Sequence, residues 1–138
     1  MKAIIGTIPS DSHSWNLVFM QMLLQEENID AQVLGICTPY EAYARAIQTH
    51  RPQLIVVSSI NGHGFSQGQD IPAFIRGQAR EPLPPIVIGG KLVTGNDFDR
   101  SKEQALLRAG FDKVYWSDSS ITEFIAYVRG IHAQALAG

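Results

Sequence analysis

Asp11 and His13 stand two residues apart in a polar stretch, Ser10-Asp11-Ser12-His13-Ser14, between an apolar run and an apolar helical pattern. A neutral imidazole nitrogen is a good ligand for a transition metal. A ligating histidine generally has its other ring N–H held by a carboxylate or carbonyl. Asp11 is near enough in sequence to supply that carboxylate. A plainer role is also open to these residues: Asp11 or Ser14 capping the free N–H groups of the following helix. Two clusters of small residues follow later apolar runs. One is Ser58-Ser59-Ile60-Asn61-Gly62; the other is Gly89-Gly90, which runs on into Leu92 and Val93. Small side chains let the backbone approach a bound group closely. The same glycines would also serve as ordinary turns.

These loops need elements to hold them. Residues 2–8 read as a strand covered on both faces, and 16–28 as a helix with Leu17, Met20 and Leu24 on one stripe. A second strand is expected at 31–36. A helix follows from Pro39 to about His50, with Thr38 as its N-cap. The third and clearest strand is 53–58, followed by a glycine-rich loop at 59–68. A helix near 70–80 precedes a turn at Pro82, Pro84 and Pro85. Then come a strand at 86–89, a helix at 100–109 closed by Gly110, a strand at 113–116 and a last helix at 120–136. Strands alternating with helices imply a parallel sheet with helices on both faces. Right-handed crossovers make that a five-stranded, doubly wound, flavodoxin-like (Rossmann-like) α/β fold. In such folds ligands bind at the carboxyl ends of the strands, where the strand order switches. The loops after strands one, three and four all lie at that end.

The totals narrow the function classes. The expectation from 138 residues is a single domain, 1–138. A net charge of -2 gives no reason to expect nucleic acid or an acidic membrane as partner. One cysteine, Cys37, allows no internal disulfide and no cysteine cluster for zinc or iron–sulfur. Cys37 itself is expected to be a small buried apolar residue. No apolar run reaches 18 residues and the N-terminus reads as a strand, so the chain is expected in the cytoplasm. Only 17% of residues are charged, which suggests that a partner covers part of the outer face.

Spacing ties the three loops together. Asp11-x-His13-x-x-Asn16 is followed by 41 residues, then Ser58-x-Ile60, then 28 residues, then Gly89-Gly90. The pattern resembles the cobalamin-binding domain of base-off/His-on B12 enzymes: Asp-x-His-x-x-Gly, then Ser-x-Leu, then Gly-Gly. Within that family the loops are most similar to those of the small subunits of glutamate mutase (methylaspartate mutase), and the resemblance spans essentially the whole chain. It implies that His13 is the lower cobalt ligand, in place of the cofactor's own dimethylbenzimidazole. It further implies that Asp11 holds His13, and that the freed nucleotide tail enters a slot among Ser58, Ser59, Gly89 and Gly90. Ser58 would hydrogen-bond a ring nitrogen of the tail. The implied cofactor surroundings are Ser10, Asp11, Ser12, His13, Ser14, Trp15, Asn16, Ser58, Ser59, Ile60, Gly62, Gly89, Gly90, Leu92 and Val93.

Trp15 would be a wall of the corrin platform or a core residue. His63 would be a solvated loop residue, or would lie over the corrin rim or at a partner interface. No specific role is expected of His50 and His132. The sequence departs from the pattern at Asn16, which replaces glycine, and at Ile60, which replaces leucine. Thr7 stands where some relatives have a lysine behind the Asp–His pair.

By the same resemblance the chain would be the cobalamin-binding subunit of an adenosylcobalamin-dependent radical mutase. It would be inactive alone and completed by a larger barrel subunit that binds substrate. Catalytic residues in this chain are not expected. The alternatives are a corrinoid methyl-transfer carrier or a non-catalytic B12 sensor. Methyl carriers usually have a helical cap before the Asp-x-His loop, and none is expected ahead of a strand at Lys2. A signalling receiver would need an acidic pair after strand one, an aspartate after strand three and a lysine after strand five. This chain has Asp11, Ser58 and Ser117-Asp118 there. A flavodoxin would need a phosphate loop rich in Ser, Thr and Gly, whereas residues 9–16 contain no glycine.

Overall fold

The computed structural model describes residues 1–78, 82–117 and 120–137. Its elements are β1 (Lys2–Gly6), α1 (Trp15–Glu26), β2 (Asp30–Val33), α2 (Tyr40–His50), β3 (Leu54–Ser59) and α3 (Gly64–Gly68). They continue with α4 (Ile71–Gln78), β4 (Ile86–Gly90), α5 (Arg100–Ala109), β5 (Lys113–Tyr115) and α6 (Ser120–Ala137). The sheet runs β2-β1-β3-β4-β5 and every described pairing is parallel. This is the flavodoxin-like fold expected. The order reverses between β1 and β3, so the loops leaving those two strands face each other across the switch point.

Side-chain alternation divides the core into two layers. Ala3, Ile5, Leu54, Val56, Val87 and Tyr115 face α1 and α6, against Leu17, Leu24, Phe124 and Val128. Ile55, Val57, Ile86, Ile88 and Val114 face the opposite way, against Tyr43, Ile71, Ile75 and Leu106 of α2, α4 and α5. β3 is central and buried along its length, which is why its sequence, LIVVSS, has no polar residue before Ser58. Asp99 caps α5 by accepting from Lys102 N at 3.1 Å. Gly110 closes the same helix at φ +123°, where a Cβ would also press on Arg76 and Pro72.

Several local expectations are corrected. β1 stops at Gly6 and β2 at Val33, two or three residues early in each case. The glycine-rich stretch after β3 is not all loop, because Gly64–Gly68 coils into α3. Thr38 does not cap α2; Pro39 holds the N-cap position. The Thr38 hydroxyl is buried instead, accepting from Thr7 N at 2.9 Å and donating to Gly35 O at 2.7 Å. Cys37 is exposed rather than buried, because the chain turns there with φ +48°. The expected end of the helix at 79–80, and Asp118, lie outside the described residues.

Candidate functional site

The loop after β1 is fixed from three sides. Asp11 N donates to Ile8 O at 3.1 Å, and Cys37 N donates to Asp11 O at 2.7 Å from the β2–α2 loop. On the third side Ser10 N donates to Gln67 Oε1 at 3.2 Å, and Asn61 Nδ2 donates to Ser10 Oγ at 3.0 Å. The Asp11 side chain is fully buried between these loops. Its Oδ2 accepts from Ser59 Oγ at 2.8 Å, Ile60 N at 2.8 Å and Asn61 N at 3.3 Å. Its Oδ1 accepts from His13 N at 3.0 Å and contacts His13 Nδ1 at 2.7 Å. Burial by itself would raise the Asp11 pKa. The bonds from His13 N and Ile60 N, then from the His13 ring and Ser59, outweigh it and hold the carboxyl at about 2.

That carboxylate decides the histidine's tautomer. An ionised carboxylate only accepts, so the hydrogen of the neutral ring sits on Nδ1 and the lone pair is on Nε2. The His13 side chain is 53% exposed, and Nε2 has no hydrogen bond among the described residues. His13 is therefore held from behind and open in front, the state a monodentate metal ligand needs. Among the described residues no three His, Cys, Asp or Glu side chains converge, so His13 is a single protein donor.

Beside it a slot of about 320 Å3 opens between α1 and α6, over the ends of β3, β4 and β5. Its floor is Val56, Ser58, Val87 and Gly89; Phe19 and Met20 form one wall, and Phe124 and Ile121 the other. Asn16, Ile60 and Trp116 also line it. The Ile60 N–H that reaches Asp11 thus connects the slot to the His13 loop. Packing is tight at Gly89 and excludes a side chain at Gly90. A Cβ on Gly89 would stand 3.1 Å from Tyr115. At Gly90, where φ is +119°, a Cβ would collide with the Ser59 carbonyl.

The residues singled out from sequence fall into groups. Ser58, Ile60, Asn16, Gly89 and Gly90 line the slot. Asp11 and His13 do not line the slot and are joined to it through the Ile60 N–H that Asp11 accepts. Ser59 is not in the slot: it follows Ser58 on a strand, so it faces the other way and serves Asp11. Leu92 is part of the core on the α2, α4 and α5 side, and Val93 lines a separate hollow with Phe98 and Trp116. Gly62, at φ +88°, packs against Thr94 and leaves no space for a side chain. Ser12 and Ser14 are exposed, and Ser14 occupies the N-cap position of α1 without a side-chain cap bond. Trp15 is 81% exposed, so it is no core residue. His63 is exposed at the N-cap position of α3, its N–H donating to Asn61 Oδ1.

Sequence reasoning misses Asn61, Gln67 and the aromatic slot walls Phe19, Tyr115, Trp116 and Phe124. The walls come from helices and a strand distant in sequence. Only the strand-end glycines hint that something large stands opposite them.

A model of the B12 binding domain matches residues 1–126. The chain belongs to that family. As a B12 binding domain it is similar over most of its length to two glutamate mutase sigma subunits. One, sigma subunit 1 of Haloarcula marismortui, is 23% identical over 91% of this chain and 82% of its own length. The other, from Fusobacterium nucleatum, is 27% identical over 90% of both chains. Among solved structures, the monomethylamine corrinoid protein of Methanosarcina barkeri superposes with a TM-score of 0.71 at 16% identity. That likeness covers 92% of this B12 binding domain and 57% of the solved chain, and it concerns the fold alone.

Proposed function

We propose that this B12 binding domain is the cobalamin-carrying subunit of an adenosylcobalamin-dependent carbon-skeleton mutase of the glutamate mutase type. The observation that carries the reading is the Asp11–His13 pair set beside an apolar slot: a ring nitrogen oriented for cobalt, next to a cavity suited to a displaced tail. The residues fit the group. The slot has the volume and apolar lining of a small-molecule site. Gly90 presents backbone where a Cβ cannot stand. Asn16 Oδ1 is buried at the slot without a hydrogen-bond partner.

In this reading His13 Nε2 would be the protein's ligand to cobalt. Asp11 keeps the proton on Nδ1 and fixes the ring plane. Ser58, at the slot floor, would donate to the tail. Val56, Val87, Tyr115 and Phe124 would keep water from a tail held in the slot. Adenosylcobalamin supplies a cobalt–carbon bond whose homolysis starts the radical chemistry. The mutase reaction would then need a second, larger subunit to hold substrate, and the names of the sigma-subunit relatives support such a partner.

The test is reconstitution with adenosylcobalamin and the large subunit of a glutamate mutase. Conversion of glutamate to methylaspartate that needs both chains, and is lost in His13→Ala, is the expected result. Cofactor uptake without any mutase activity would move the assignment to a corrinoid carrier of the kind whose fold this chain shares.

A further inference from the structure

Asn61, which sequence reasoning passes over, is tied to two consecutive residues of the loop that carries His13. Its Oδ1 accepts from His63 N at 3.0 Å, and a backbone N–H can only donate. The amide orientation is therefore fixed, with Nδ2 turned to Ser10 Oγ at 3.0 Å. Its backbone N–H reaches the next residue, donating to Asp11 Oδ2 at 3.3 Å. Ser10 is held a second time, its N–H donating to Gln67 Oε1 at 3.2 Å. Gln67 is itself anchored: its N–H donates to His63 O at 2.9 Å, and its O accepts from Tyr40 Oη at 2.6 Å. Beyond these anchors Ser12, His13 and Ser14 are exposed and belong to no helix or strand. The His13 ring is 53% exposed and its hydrogen bond among the described residues is to Asp11. Where the ring stands therefore depends on how firmly Ser10 and Asp11 are held.

We propose that Asn61 is a positioning residue, acting through Ser10 and Asp11 to hold the His13 ring ready for a corrinoid before one binds. This rests on the cobalamin reading above and names a residue that tunes that site. Apparent affinity falls with the fraction of the free protein in which the binding group is misplaced. Ordering an exposed segment on binding lowers affinity in the same way. The bond from Asn61 Nδ2 to Ser10 removes part of that cost in advance. Without it Ser10 keeps its tie to Gln67, and Asp11 keeps its bonds from Ser59 and Ile60. The loop then stays folded while the ring covers a wider range of positions. Neither Asn61 nor Ser10 lines the slot, so the effect reaches the cofactor through His13 and not through the tail.

The test titrates the cofactor-free protein, followed by visible absorbance, with cobalamin and with cobinamide, a corrinoid that lacks the nucleotide tail. Asn61→Ala and Ser10→Ala remove the same bond from its two ends. Each should weaken cobinamide binding about threefold. The double variant should lose no more than either single one. Cobalamin binding should fall by the same factor, because the slot is untouched. In the variants loaded to saturation, the cobalt(II) EPR nitrogen splitting that responds to 15N-histidine should persist but broaden, a change that a merely structural role would not produce. If Asn61→Ala does not fold, Ser10→Ala, at an exposed residue, makes the comparison alone. Unchanged affinity, or a splitting as sharp as in the unaltered protein, would overturn the proposal while leaving the cobalamin site standing. Uptake of neither corrinoid by the unaltered protein would overturn both.

Discussion

At the residue scale the site turns on Asp11. Five hydrogen bonds converge on its two oxygens, from two side chains and three backbone N–H groups, and its carboxyl is fully buried. Asp11→Ala leaves Ser59 Oγ and the N–H groups of Ile60 and Asn61 without their acceptor. The expected loss, read by urea unfolding, is about 3 kcal/mol at pH 7. The pH dependence follows from the lowered pKa. The unfolded carboxyl titrates at its ordinary value of 3.8 and the folded one at about 2. A depressed native pKa stabilises the fold above the unfolded pKa, and that contribution is lost as pH falls through the folded one. It amounts to roughly 2 kcal/mol, present at pH 5 and above and gone near pH 2. Asp11→Asn should therefore flatten the acid limb of the stability curve between pH 4 and pH 2. An unchanged limb would show that the carboxylate is not held as the hydrogen bonds imply. The pairing of Asp11 with His13 is legible from the two-residue spacing. The bonds to Ser59, Ile60 and Asn61 are not, because they cross 48 to 50 residues of sequence.

At the scale of elements, the slot is made by β3 and β4 below and by α1 and α6 at the sides. Gly90 is a structural necessity there rather than a loose turn. Gly90→Ala would force a Cβ into the Ser59 carbonyl at a φ that disfavours it. Loss of more than about 2 kcal/mol is expected, together with loss of corrinoid uptake. A variant that melts and binds normally would mean that β4 ends in some other way. The strands are legible because KAIIG, LIVVS and IVIG are continuous apolar runs of the kind buried on both faces. Strict alternation along β3 also assigns Ser58 and Ser59 to different layers, since neighbours on a strand face opposite ways, and only Ser58 reaches the slot. α3 is hidden in the sequence because GFSQG lacks a helical period and carries two glycines. Cys37 departs from expectation for a different reason. A type-based burial preference says nothing about a chain that turns at that residue with positive φ.

At the scale of the whole molecule, the parallel sheet brings every singled-out loop to one end, and several exposed apolar side chains lie near it. Trp15, Val18, Phe19 and Met22 form an exposed stripe on α1, and Ile60 and Trp116 flank the slot. Trp15 and Trp116 are the chain's two tryptophans. Trp15 starts the helix that follows His13, and Trp116 lines the slot. Corrinoid binding should therefore quench most of the protein's tryptophan fluorescence, and persistence of the full emission in the loaded protein would put the ligand elsewhere. The central claim, however, is ligation through His13. It is tested most directly by cobalt(II) EPR of the protein loaded with cobalamin, with and without 15N-histidine. A nitrogen splitting that changes with the label and disappears in His13→Ala is the predicted result. A splitting indifferent to the label, or one that survives the substitution, would contradict it.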